Sequence, residues 1–281
     1  MSAAELEARR ALRKPGDTDA VTFSWADASA GLYGLARVAS GAGPDGTASA
    51  SALAVALAAR ETLGAIAEAG AEPPSELTAV TEEPLERWLV RGSGELSFEL
   101  TFEALTPPAE YGGRQALVKA GGMEGYEQFC RVRGKIGDRP VRGLGQRGHS
   151  WGNPDWDKIA LTRTIGAWFD DASGIALATV RPAKADHHAD EAHWGAALDP
   201  ERTRTVDEVR LSTTTDEAGR HIRAGIELWI ASDDEFPYRG TGEVLSGSTL
   251  ELGALRLDVA FFGWHIEGRT GVGRYDILRR A

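Results

Sequence analysis

The chain has one cysteine in 281 residues, Cys130, so no intramolecular disulfide can form. That excludes a small stapled secreted scaffold. Long apolar runs are also missing. The longest, Ala52–Ala59, falls well short of the roughly 18–20 residues of a membrane-spanning helix. The opening residues MSAAELEARRALRK lack the apolar stretch of a secretory signal and read as one short charged helix, so a cytoplasmic location is expected. Basic residues are outnumbered, 31 against 42 acidic, for a net charge of −11. Nucleic acid and anionic membranes are therefore not expected as main partners. The sequence carries no Walker A loop, no G-x-S-x-G elbow and no G-x-G-x-x-G between strand and helix.

What the chain does have is ordinary globular material with two excesses. Apolar residues make up 42% and charged residues 26%, and the length suits one large domain or two of about 120–150 residues. Glycine stands at 34 residues, and there are eight tryptophans. Short alternating segments recur between glycine-rich turns. In Glu95–Leu105, Leu96, Phe98, Leu100 and Phe102 alternate with polar residues, the mark of a half-buried antiparallel strand. Arg87–Arg91 pairs with it across Gly92-Ser93-Gly94. Further hairpins are predicted for Tyr126–Ile136 with Arg139–Gly148, Ile159–Phe169 with Gly174–Arg181, and Val206–Thr214 with Arg220–Ile230. Thr249–Leu252 pairs with Leu255–Gly263, and Val272–Leu278 is the expected last strand. So many short strands define an all-β sandwich or barrel, with the glycines serving turns and bulges.

Two segments interrupt the pattern. Ala48–Ala69 has helical composition but lies between β segments, so helix and strand both stay open. Pro107-Pro108, followed by Glu110-Tyr111-Gly112-Gly113 and a short helix at Arg114–Lys119, is the best break. It divides the chain into β-rich halves at 1–120 and 121–281.

The densest chemistry lies in Gly143–Ile159, GLGQRGHSWGNPDWDKI. Strand geometry puts His149 and Trp151 on one face, and Gly152-Asn153-Pro154-Asp155 turns the chain before Trp156 and Asp157. An imidazole near a carboxylate, walled by indoles, could hold a proton donor, and indole faces could stabilise a carbocation. The same tryptophans could instead plug a barrel end, with Asp155 a turn residue.

The string Gly145 to Gly152, followed by Asp155-Trp156, resembles the G-x-R-x-H-S-W-G-x-x-D-W signature of a lipocalin-like superfamily. That group includes AttH-like proteins, carotenoid hydratases of the hydroxyneurosporene-synthase type and tocopherol-cyclase-related sequences. The lead-in Tyr126-Glu127-Gln128 through Gly134 and the closing segment Gly268–Arg274 with Asp276 resemble its flanking strands. The resemblance implies two consecutive lipocalin-like antiparallel β-barrel (calycin-like) domains with a ligand cavity lined by aromatic residues, and a barrel of about eight strands leaves room for one small apolar ligand. It also implies cofactor-independent protonation of an isoprenoid double bond through the His149–Trp151 pair. The Tyr-x-Asp pair of those hydratases has only Trp168-Phe169-Asp170 as a partial counterpart, and Asp170 is not carried over. If 143–151 and 159–169 formed a hairpin, Asp170 would lie roughly 30 Å from His149.

The resulting expectation is a hydratase or cyclase acting on an apolar isoprenoid- or polyketide-like molecule, or a non-catalytic carrier of one. His149 is the expected acid, Asp155 or Asp157 its partner, and Trp151, Trp156 and Trp168 the cavity wall. Trp264, on the late strand Phe261–Glu267, is either a wall residue or core, because either face of that strand could be interior. The cluster His187 to His193 holds potential metal ligands on a single loop, and no metal site is expected from it. Cys130, among apolar neighbours, reads as an inert buried thiol.

Overall fold

The computed structural model describes residues 2–43, 45–59, 61–169, 173–185, 190–230 and 236–281. The chain opens with α1 (Ala3–Glu7), held by a capping box in which Ser2 and Glu5 bond each other's backbone amides. A meander follows: β1 (Thr18–Asp27), β2 (Leu32–Ala42), β3 (Ala48–Ala58) and β4 (Glu61–Gly70). A second meander comprises β5 (Leu77–Glu83), β6 (Arg87–Gly92) and β7 (Phe98–Ala104). Next come β8 (Ala109–Tyr111), α2 (Ala116–Gly121) and the long hairpin β9 (Met123–Ile136) and β10 (Arg139–Gly152). These strands form one curled antiparallel sheet in the order β4-β3-β2-β1-β10-β9-β7-β6-β5, with β8 paired to β9.

The second unit begins with β11 (Ile159–Trp168), β12 (Gly174–Pro182), β13 (Ala192–Leu198) and β14 (Thr203–Thr215). It continues through β15 (His221–Ile230), β16 (Tyr238–Leu252), β17 (Leu255–Ile266) and β18 (Arg269–Arg280). β18 pairs back onto β11, closing an eight-stranded antiparallel barrel without free edges. The chain is thus nearly all-β, a half-barrel sheet followed by a closed barrel. No helix among the described residues is long and apolar enough to cross a membrane.

The ambiguous alanine-rich stretch is two strands. Ala52, Ala54 and Ala56 face the inside of the curled sheet, while Leu53, Val55 and Leu57 face the barrel. Burial on both sides makes the run apolar at every position, which hides the strand period. The expected division at 120/121 also differs from the change of sheet, which falls at 153–158. β9 and β10 complete the first sheet, with Val21 opposite His149 on one side and Tyr126 on the other. Residues 143–151 and 159–169 therefore belong to different sheets and form no hairpin.

Three apolar clusters hold the molecule together. Phe23, Trp25, Phe98 and Phe102 fill the curled sheet, the Phe23 and Phe102 rings 4.9 Å apart. Ile226, Leu228, Phe262, Trp264 and Tyr275 fill the barrel. The third cluster joins the two units, with Tyr33 stacked on Phe261 at 5.4 Å and Tyr111 against Trp194 at 4.9 Å.

Candidate functional site

A cavity of about 900 Å³ lies between the two units. It was expected inside a barrel, but the barrel interior is packed with the Phe262–Trp264–Tyr275 cluster. The cavity floor is the outer face of the first sheet, where strand alternation presents Leu53, Leu35, Arg37, Thr22, Ser150 and Glu127. The opposite wall is the outside of the barrel, with Thr164, Val180, Leu257, Arg274, Asp276 and Leu278. Leu117 of α2 and Trp156 from the connecting segment close the side.

A buried charged cluster stands in this otherwise apolar space. Arg274 Nη2 lies 3.6 Å from Glu127 Oε2, and its Nη1 lies 3.6 Å from Asp276 Oδ2. All three residues are buried. Gln146 donates from Nε2 to Glu127 Oε2 at 2.7 Å, and Trp168 Nε1 donates to Gln146 Oε1 at 3.2 Å, so Glu127 is held in one orientation. Asp276 Oδ1 makes no hydrogen bond. Burial pushes the Asp276 carboxyl up to about 7, against the pull of Arg274 and with the push of Glu127. Burial likewise raises Glu127, opposed by Arg274 and Gln146. Two carboxylates share one arginine here, so near neutral pH the cluster can hold a proton on one and a charge on the other. Gly148, opposite Glu127 on β10, leaves space for it: a Cβ there would stand 2.7 Å from Glu127 Oε1.

His149 and Trp151 do share a face, with rings 5.1 Å apart, but it is the inner face of the curled sheet, away from the cavity. His149 Nε2 lies 2.7 Å from Asp19 Oδ1, and Nδ1 lies 3.0 Å from the Leu6 carbonyl. Both partners are acceptors, so complete bonding calls for a proton on each ring nitrogen. Beside it, Arg147 Nη2 binds Glu7 Oε2 at 2.8 Å, and Arg147 also bonds the Tyr126 hydroxyl. Glu7 Oε1 accepts from Trp88 Nε1 and the Leu85 amide. The Arg-x-His part of the signature thus clamps the N-terminal segment into the half-barrel.

The other expected residues disperse. Asp155 is exposed and paired with Lys158 at 2.7 Å, and Asp157 is exposed and paired with Arg280. Neither meets His149, whose carboxylate partner Asp19 comes from β1. Trp151 carries Arg10 4.0 Å above its ring, and its Nε1 donates to Glu124 at 3.3 Å. Of the tryptophans, Trp156 lines the cavity, Trp168 backs the Gln146–Glu127 pair, and Trp264 is barrel core. Asp170, His187 and His188 lie outside the described residues. Glu191 binds Arg163 and Arg181. Among the described residues no group of three or more His, Cys, Asp or Glu could hold a metal ion. Cys130 is buried, and that burial raises its thiol.

Sequence reasoning assigned no role to Glu127, Gln146, Arg274 or Asp276. A signal existed. On β18 the run Val272, Arg274, Asp276, Leu278 is an apolar face interrupted by two charged residues, and such residues are seldom fully buried unless paired.

Fold and site together define a lipocalin-like β protein with its cavity between a half-barrel and a closed barrel. The chain belongs to the family described as Domain of unknown function (DUF7064), whose model matches residues 4–281. No functionally curated protein matches the sequence. Among solved structures, an AttH-like protein from Nitrosomonas europaea aligns at 14% identity and TM-score 0.71, over 95% of this chain and 96% of that one. Kievitone hydratase from Nectria haematococca aligns at 10% identity and TM-score 0.62, over 95% and 90%. CghA with Sch210972 aligns at 11% and 0.62, over 95% and 89%. At these identities the likeness establishes the fold.

Proposed function

We propose that the chain is a hydratase or cyclase that works by acid–base chemistry, with no cofactor, on a C=C bond of an apolar isoprenoid- or polyketide-like molecule held between the two units. The observation that carries this reading is the Glu127–Arg274–Asp276 cluster opening onto an apolar cavity of about 900 Å³. The hydratase among the proteins of this fold supports the same reaction class.

Asp276, the carboxyl whose titration is raised to about 7, is the acid. Its proton goes to one alkene carbon, the π pair forms the new C–H bond, and the adjacent carbon becomes cationic. The Trp156 indole, on the wall of the same cavity, is an aromatic face available to such a charge. Water then attacks the cation and Glu127 takes the released proton. In the cyclising variant a second double bond of the substrate attacks and Glu127 takes a proton from carbon. Exchange with solvent returns a proton to Asp276.

The test is turnover of a panel of polyene substrates in D₂O, read by mass spectrometry as addition of water with one C–D bond, or as an isomer carrying deuterium. Asp276→Asn is expected to lower the rate by about 10²–10⁴ while ligand still binds. Undiminished turnover in Asp276→Asn would overturn the assignment. A wild-type protein that binds polyenes tightly and converts none would be a carrier instead.

A further inference from the structure

A second charged group enters the cavity far from the acid cluster. Arg37 projects from β2 into the cavity and is partly buried. Among the described residues it makes no ion pair within 4.0 Å and no side-chain hydrogen bond, whereas the three fully buried arginines, Arg147, Arg163 and Arg274, all have carboxylate partners. The charge acting on it is Asp19, on the opposite face of the sheet and already bonded to His149. Burial lowers its titration, opposed by the Asp19 charge.

Its position relative to the acid cluster follows from strand register. Arg37 stands opposite Thr22, Thr22 opposite Gly148, and Gly148 opposite Glu127. Directly paired residues point to one face, so Arg37 and Glu127 lie on a single row across the cavity floor. They are separated by three inter-strand steps, roughly 14 Å. Between them are a threonine and a glycine, which leave the floor low. The row continues beyond Arg37 to Leu53 and Ala67, both cavity residues.

We propose that Arg37 is a specificity-determining residue that binds a carboxylate at one end of an elongated apolar ligand, placing that ligand's double bond roughly 14 Å away at Glu127 and Asp276. This rests on the cavity being the substrate site. Of the cavity's guanidiniums Arg163 is tied to Glu191 and Arg274 to Glu127 and Asp276, so Arg37 alone, with Glu68 and Glu251 also on the wall, suits a monoanion rather than a phosphate or diphosphate. A carboxylate would supply the charge-assisted hydrogen bonds that Arg37 lacks.

The experiment compares binding of the fluorescent polyene cis-parinaric acid with that of its methyl ester, in wild type, Arg37→Met, Arg37→Lys and Asp276→Asn. The ester is the more apolar of the two, so partitioning alone favours it. Wild type is expected to prefer the acid by about 10- to 100-fold, the range of one charge-assisted contact. Arg37→Met should abolish the preference while keeping ester affinity, Arg37→Lys should keep part of it, and Asp276→Asn should keep all of it. Equal affinities in wild type, a preference that survives Arg37→Met, or binding of neither probe would overturn the assignment. Polyene turnover that depends on Asp276 but has no acid preference would sink this inference and leave the catalytic reading standing. An Arg37-dependent preference with no turnover of any polyene would do the reverse.

Discussion

Replacing His149 with alanine separates the two roles that the signature histidine could have. In the structure its ring is 1% exposed, 2.7 Å from Asp19 and 3.0 Å from the Leu6 carbonyl, with Tyr126 and Trp151 edge-on at 5.8 and 5.1 Å. Truncation strands a buried carboxylate and frees the carbonyl that ties α1 to the sheet. Removing one member of a buried pair costs about 3–5 kcal/mol. At roughly 2–4 °C per kcal/mol for a chain of this size, the melting temperature should drop by about 10 °C. Thermal denaturation followed by circular dichroism measures this. Limited trypsin digestion should show faster cleavage at Arg9, Arg10 and Arg13, because the N-terminal segment loses its anchor. Adding Asp19→Asn to His149→Ala should restore part of the loss by removing the stranded charge. Turnover, measured well below the melting point, should stay within a few-fold of wild type. A His149→Ala protein that melts with wild type, or one that is stable but about 10³-fold slower, would refute a purely structural role and return the histidine to the chemistry.

The remaining expectations concern the cavity and the N-terminal clamp. Turnover should fall as pH rises through about 7, because the acid form of Asp276 is needed, and a rate profile flat from pH 5 to 9 would contradict this. The same shift carries a stability slope. The folded carboxyl titrates at about 7 against an ordinary 3.8, so the folded state binds more protons between those values and stability falls as pH rises across that window. Asp276→Asn should flatten the slope in urea midpoints measured at several pH values. Gly148→Ala would put a methyl 2.7 Å from Glu127 Oε1, so it should cost about 1–3 kcal/mol by overpacking and reduce turnover more than ligand binding. Glu7→Ala leaves Arg147 buried without its carboxylate and should destabilise by about 3–5 kcal/mol in urea unfolding. An unchanged midpoint would mean that the clamp adds nothing.

Much of the fold was legible because its signals are local. Trp88 opposite Phe102 across β6 and β7 is the hairpin read from alternation in Glu95–Leu105 and the glycines before it. Gly137, at φ 55°, makes the β9–β10 turn in the gap between the predicted arms Tyr126–Ile136 and Arg139–Gly148. The alanine-rich strands were hidden because both of their faces are covered. The change of sheet was hidden because β10 chooses β1 as its partner, a pairing no local pattern records.

The site divided along the same line. Periodicity put His149 and Trp151 side by side, and they are. It could not say which face of β10 meets the cavity, because both faces are buried: one by the half-barrel core, the other by the barrel. Composition and alternation alone determined an all-β chain dense in turns, since both depend on neighbours in sequence. Only the tertiary structure decided that the cavity lies between the units and that Glu127 from β9 meets Arg274 and Asp276 from β18 there. Burial there, with Glu127 beside it, is what raises the Asp276 carboxyl to about 7, and no local pattern in the sequence records either.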